Sequence, residues 1–358
     1  MKSASILLSL LAAIAFTAPA APGHAVGGEC DSAGCSLDLP VRGAGVSFGN
    51  SLRFNGLRLN LVDSGVEEIN GVNITLWKPG KNPDAVMRGI MVGLVGPNAA
   101  ELRGISMGAL AVAAESRVAG LAVGGLAAVS EGDADGIMIG GLASVCEDDL
   151  NGISVGGLAS VAEGREIGIS IAGLAAVAEG DFVGISFGGL AALGERELTG
   201  IAASLGSVQS EGDITGIALG AVALFGAHTS GSVDVEAAGS GHNIDFDVSF
   251  AGIRGRNVRF LAIHGMDIRA EQAVEGVAIS GLLARAAEIR GVAAAGLSVK
   301  THALRGFSLS AVNFVDGPQI GVSIGIVNYA RELKGLQFGL INIAQNNGPA
   351  LRVRDRHR

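Results

Sequence analysis

The chain has 358 residues, of which 57 are glycine; 49% are apolar, 16% charged and only 4% aromatic. A mean hydropathy of +0.46 excludes a disordered polar chain, which needs low hydrophobicity and high charge. The balance of 25 basic against 34 acidic side chains, a net charge of −9, argues against a nucleic-acid partner, because phosphate binding needs clustered Lys and Arg.

Residues 1–25 read as an export signal. Lys2 supplies the positive start and Ile6 to Phe16 the apolar stretch, with Ala18-Pro-Ala20 or Gly23-His-Ala25 as the small-residue cleavage site. That run is too short for a retained membrane helix. The mature chain is expected to begin between Ala21 and Val26 and to work outside the cytoplasm. Residues 26–55 are expected to cap the fold. Cys30 and Cys35 lie close together there, and an oxidising compartment permits them to pair as a small staple. Glu29 before Cys30 departs from the lead-in of a lipid-modified cysteine, and no second Cys or His pair completes a metal site.

Residues 56–230 form a repeat array. Glycines stand sixteen apart at 104, 120, 136, 152, 168, 184, 200 and 216, each followed by Ile or Leu. A second apolar column, such as Ile139, Val155 and Ile171, comes two residues later, and a leucine column follows at 110, 126, 142, 158, 174 and 190. The Ile-x-Val pair has strand alternation, and the Gly-Gly after it marks a bend or close backbone approach. Glu115, Glu131, Glu147, Glu163, Glu179, Glu195 and Glu211 close the units, and phrases such as Glu131-Gly-Asp133 read as turns. A fixed period this short means one small unit stacked many times. Cys146 stands in a column of Ala and Ser and is expected to be a small filler.

Beyond the array, residues 231–275 keep alternation but lose the register, and are expected to be irregular units or an insertion. Glycines at 276, 291, 306, 321 and 335 mark repeats of fourteen or fifteen residues over 276–344. The basic tail 345–358 is expected to close the stack.

The phrases Gly321-Val-Ser-Ile-Gly-Ile-Val-Asn328 and Gly335-Leu-Gln-Phe-Gly-Leu-Ile-Asn342, with Val312-Asn313 before them, resemble the tandem Gly-x-x-x-Gly-Leu-x-Asn repeats of a bacterial surface-repeat family. The resemblance covers 306–344 and extends over 56–230 with Ala for Asn, but breaks down over 231–275. It implies an exported, surface-associated protein of unestablished activity and carries over no catalytic residue.

Two architectures fit this pattern. The first is a β-solenoid of stacked 14–16-residue coils, in which Asn313, Asn328 and Asn342 would form an amide ladder. The alternative is an antiparallel outer-membrane β-barrel with one strand per repeat, placing Ile153, Val155, Gly157, Ala159 and Val161 toward lipid and Leu158 in the lumen. One Trp and one Tyr are too few for the aromatic girdles of such barrels, so the solenoid is the expectation.

Chemistry is sparse. Asp133, Asp149, Arg165, Asp181, Glu197 and Asp213 follow two residues after the glutamates. Stacked acidic turns could offer oxygens to calcium, but Arg165 interrupts them, and a solvated acidic edge is the expectation. His228, His242, His264 and His302 are scattered without a metal-binding pair. Ser154, Ser170 and Ser186 form a column with no histidine to activate a nucleophile, and are expected to face solvent. Asp245 and Asp247 are the one carboxylate pair suited to a carbohydrate-cleaving groove. The sequence thus predicts no catalytic residue, cofactor or metal. It predicts an exported scaffold or binding surface for an unknown surface ligand or for self-association, with outer-membrane association in view. An outer-membrane pore and a polysaccharide-active enzyme are the alternatives.

Overall fold

The computed structural model describes residues 36–41, 44–77, 79–80, 82–221 and 252–346. The signal segment, Cys30, Cys35, His228, His242, Asp245, Asp247 and the tail from 347 lie outside them. The chain divides into two compact units, Met1–Gly180 and Asp181–Arg358. Among the described residues all regular structure is strand.

In each unit the strands are stacked parallel as successive coils of a β-solenoid. Leu150–Gly156 pairs in parallel with Asp133–Gly140 on one side and Glu166–Ala172 on the other, so Ile137, Ile153 and Ile169 stand in one column. Ala159–Ala162 does the same between Ala143–Cys146 and Ala175–Ala178. The barrel alternative is thereby overturned, because it requires neighbouring repeats to run antiparallel around a closed cylinder. An antiparallel hairpin, Ser36–Val41 with Ala44–Gly49, precedes the first parallel pairing, of Ala44–Gly49 with Arg53–Asn60.

Glycine makes the coil possible at two places. Gly152 has φ +139°, and a Cβ there would lie 1.9 Å from the carbonyl oxygen of Gly136 in the coil beneath. Only glycine takes that conformation at no steric cost. Gly157 opens the turn, and a Cβ there would lie 1.9 Å from the Gly141 oxygen. Between those glycines the long strand alternates, and after the turn the short strand returns with its side chains facing the first. The hydroxyls of Ser154 and Ser160 meet across the interior at 2.5 Å.

This closure reverses one expectation. Ser154 and Ser170 in the first unit, and Ser186 in the second, are buried rather than solvent-facing. Most interior positions of the 16-residue coils hold Ser, Ala or Gly, with Val112 and Met138 as larger buried members of the same columns, while most Ile and Val of these strands turn outward. Inside, Ser154 donates to Ser144 at 3.0 Å and Ser170 donates to Ser160 at 3.1 Å, satisfying the hydroxyls coil to coil. Leu150 anchors the wider end of the interior.

The register expected to be lost over 231–275 is present from Gly252 onward. Gly252–His264 pairs in parallel with Ile214–Gly220 and with Asp267–Ser280. Its glycine column was hidden because Phe260 occupies it, between Gly216 and Gly276, with φ 87°. A non-glycine residue there is strained.

Farther on, each coil is one long bent strand, as in Asp267–Ser280 and Val312–Ile324. The amide ladder forms as expected: Asn313 Nδ2 donates to Asn328 Oδ1 at 2.8 Å, and Asn328 Nδ2 to Asn342 Oδ1 at 2.7 Å.

Candidate functional site

The most extensive functional candidate is the outer surface of the 16-residue coils in the first unit. Ile153 and Val155 face outward on one flank, Ala159 and Val161 on the other, and Leu158 stands on the edge between them. Repetition turns these positions into columns. The edge leucines at 110, 126, 142, 158 and 174 are 41, 44, 38, 47 and 46% exposed. Leu126, Leu142 and Leu158 are covered above and below by their own copies, so their remaining exposure points away from the protein. Surface turns are built mostly from Gly, Pro, Asn, Asp and Ser; each of these ends on an apolar leucine instead. Their backbone donors are also used: Leu142 N donates to Leu126 O and Leu158 N to Leu142 O, both at 2.7 Å.

The acidic turns lie at the opposite end of the coil. Glu147 N donates to Ser130 O at 2.9 Å and Glu163 N to Cys146 O at 2.9 Å, which fixes these glutamates one above the other. Partial burial raises the Glu147 carboxyl above its ordinary pKa, and the neighbouring charges of Glu163, Glu131 and Asp148 add to the rise. The second acidic column serves the backbone, since Asp149 Oδ1 accepts from Arg165 N at 2.8 Å and so holds the turn of the next coil. Among the described residues no group of three His, Cys, Asp or Glu side chains is placed to hold a metal ion.

Other predicted positions are structural. Cys146 is fully buried, donates to the Gly132 carbonyl at 3.3 Å, and has its thiol pushed up to about 12 by burial. It is a filler of the Ala/Ser column, as expected. His264 is buried in the second unit: Nδ1 accepts from Met266 N at 2.9 Å, which assigns the proton to Nε2, 2.8 Å from Gly206 O. Both nitrogens are committed to backbone. His302 is exposed.

Three buried or stacked polar features escaped sequence reading. Arg58 and Asp63 are wholly buried and paired near the start of the stack. Arg58 also donates to Asn73 Oδ1 at 3.0 Å and Asn50 Oδ1 at 2.7 Å, while Asp63 accepts from Asn73 at 3.1 Å and Thr75 at 2.5 Å. Glu166 stands in the core column of Val118, Ala134 and Leu150. Neither of its oxygens has a hydrogen-bond partner, and burial raises its pKa to about 7, with nearby Ser170 pulling the other way. In the second unit Arg254, Arg269, Arg285 and Lys300 stack in one outward column. The residues Ile-Arg, Ile-Arg, Ala-Arg and Val-Lys carried that signal, but it could be read only once the register through Phe260 was known.

No family model matches the chain, and neither a curated protein nor a solved structure matches it.

Proposed function

We propose that the protein is an exported, surface-associated repeat scaffold that works by contact rather than catalysis, its outward columns forming a binding surface. The observation that carries this reading is the unbroken edge of half-exposed leucines flanked by outward Ile and Val. Soluble monomers rarely expose contiguous apolar surface on this scale without a partner. Asp149, the interior serines, the stacked asparagines and Arg58 with Asp63 are engaged in backbone caps, hydroxyl and amide ladders and an ion pair, which suits a scaffold. The Gly-x-x-x-Gly-Leu-x-Asn phrases and the leader-like first 25 residues support an envelope location and kinship with the surface-repeat family.

Localisation tests the reading directly. An epitope-tagged chain in its native cell is expected in the envelope fraction, and accessible to protease added to intact cells. Retention of the tag in the cytoplasm would end the proposal.

A further inference from the structure

We propose that the leucine edge and both flanks of the 16-residue coils in the first unit dock into the acyl region of a lipid membrane, as a wedge lying in one leaflet. This rests on the reading of the coil exterior as a contact surface, and names what covers it.

Three observations favour lipid over a second copy of the chain. The first is shape. The apolar surface wraps around an edge, from Ile153 and Val155 past Leu158 to Val161, so it is convex. A rigid partner can cover one flank at a time, whereas fluid acyl chains cover all sides together. The second is area. With coils about 4.8 Å apart and about 3.3 Å per residue, the four-residue apolar strip on one flank (Ile153 to Gly156 and its copies) across the six long strands from Val86–Gly93 to Glu166–Ala172 spans roughly 300 Å². A stable protein interface needs about 800 Å² per partner.

The third is the backbone. Hydrocarbon tolerates only structure whose N–H and C=O groups are paired internally. Here strand pairing runs along the stack on both flanks, and the N–H groups of the edge turn are paired the same way. Gly157 N donates to Gly140 O at 3.1 Å, Leu158 N to Leu142 O at 2.7 Å and Ala159 N to Leu142 O at 3.1 Å. The N–H groups of the edge turn are therefore all paired within the stack, so the edge presents side chains and no free backbone donor to its surroundings. The acidic turns stand at the far end of each coil, away from the leucines, as amphipathic elements in a membrane interface require.

Flotation of the full chain through a density gradient with pure phosphatidylcholine vesicles tests the inference. Wild type is expected to rise with the vesicles at low and at high salt, because apolar burial drives the contact. The triple variant Leu142→Gln, Leu158→Gln, Leu174→Gln is expected to float at least tenfold less, with unchanged circular dichroism. Should that variant fail to fold, Ile153→Thr with Ile169→Thr on the flank is expected to reduce flotation independently. Wild type remaining with the lipid-free protein would overturn the inference. So would flotation that requires phosphatidylglycerol and vanishes in high salt, which would assign binding to the cationic column of the second unit. Sedimentation velocity without lipid separates this failure from that of the broader reading. Self-association lost in the triple variant, without flotation, overturns lipid docking but keeps a contact surface. A monomer that does not float overturns lipid docking and self-association alike, and leaves the broader reading to the localisation test.

Discussion

The 16-residue coils of the first unit and the 15-residue coils of the second hold their carboxylates by different devices. Parallel stacking sets like residues about 4.8 Å apart, where like charges repel. In the first unit the Glu-Gly turns leave the strand, so Glu131, Glu147 and Glu163 stack at the solvent edge. Glu147 then carries a carboxyl raised by burial and by its neighbours. The second unit's long strands dispense with those turns; Arg254, Arg269, Arg285 and Lys300 stack like on like, whereas Arg259, Glu275 and Arg290 interleave opposite charges. Arg290 reaches Glu275 at 3.0 Å and Glu288 at 2.7 Å, and Arg305 reaches Glu288 at 3.4 Å. Hydrogen bonding from Arg290 holds Glu288 below the usual carboxylate range. An added turn lets the carboxylates hydrate, while on the continuous strands Glu275 and Glu288 are held by arginines of the neighbouring positions.

The glycine columns offer the largest test of this comparison. Gly152→Ala places a Cβ against the Gly136 oxygen at 1.9 Å and at φ +139°, and is expected to cost about 3 kcal/mol or more. Urea denaturation followed by circular dichroism measures it, and a change under about 1 kcal/mol would mean the coils can spread.

Glu166 comes next. Its folded pKa of about 7 lies above the ordinary 4.5, so between those values the folded state holds more protons and stability falls as pH rises. The loss is about 3 kcal/mol, complete above the folded pKa. Glu166→Leu should flatten that slope and raise the melting temperature at pH 8, while leaving stability near pH 4 little changed.

The two interior ladders rank below this. Asn328→Ala strands the amide of Asn313 inside the second unit and is expected to cost about 2 kcal/mol. Ser154→Ala in the first unit should cost about 1 kcal/mol, because its partners can rotate toward other hydroxyls. Equal losses in denaturant titrations would contradict the difference. Phe260→Gly relieves a positive φ and is expected to gain about 1 kcal/mol, visible as a higher denaturation midpoint. Smallest are the edge charges: Arg290→Gln should lower the melting temperature and Glu147→Gln raise it slightly, both effects fading in 1 M salt.

Much of the fold was legible in the residues. Gly152 and its relatives could be recognised because close backbone approach and positive φ leave no other choice, and Asn313, Asn328 and Asn342 because amides stack on themselves. The phase of the strands was not legible. Ser154 beside Ile153 suggests a polar exterior by the ordinary rule of burial. Register through 252–275 was hidden by one exception, Phe260, and with it the cation column. The Arg58–Asp63 pair joins residues on a strand and its following loop, whose burial no spacing announces. As for the candidate site, the leucine column was visible, but its exposure was not.

Period, strand content and column identity follow from short-range constraints, and the amino-acid order alone determined them. Which side of each column faces inward was decided only by tertiary closure. The narrow slot took mostly serines and alanines, with Val112 and Met138 as exceptions, and left most of the Ile, Val and edge Leu side chains of these coils to whatever surrounds the protein.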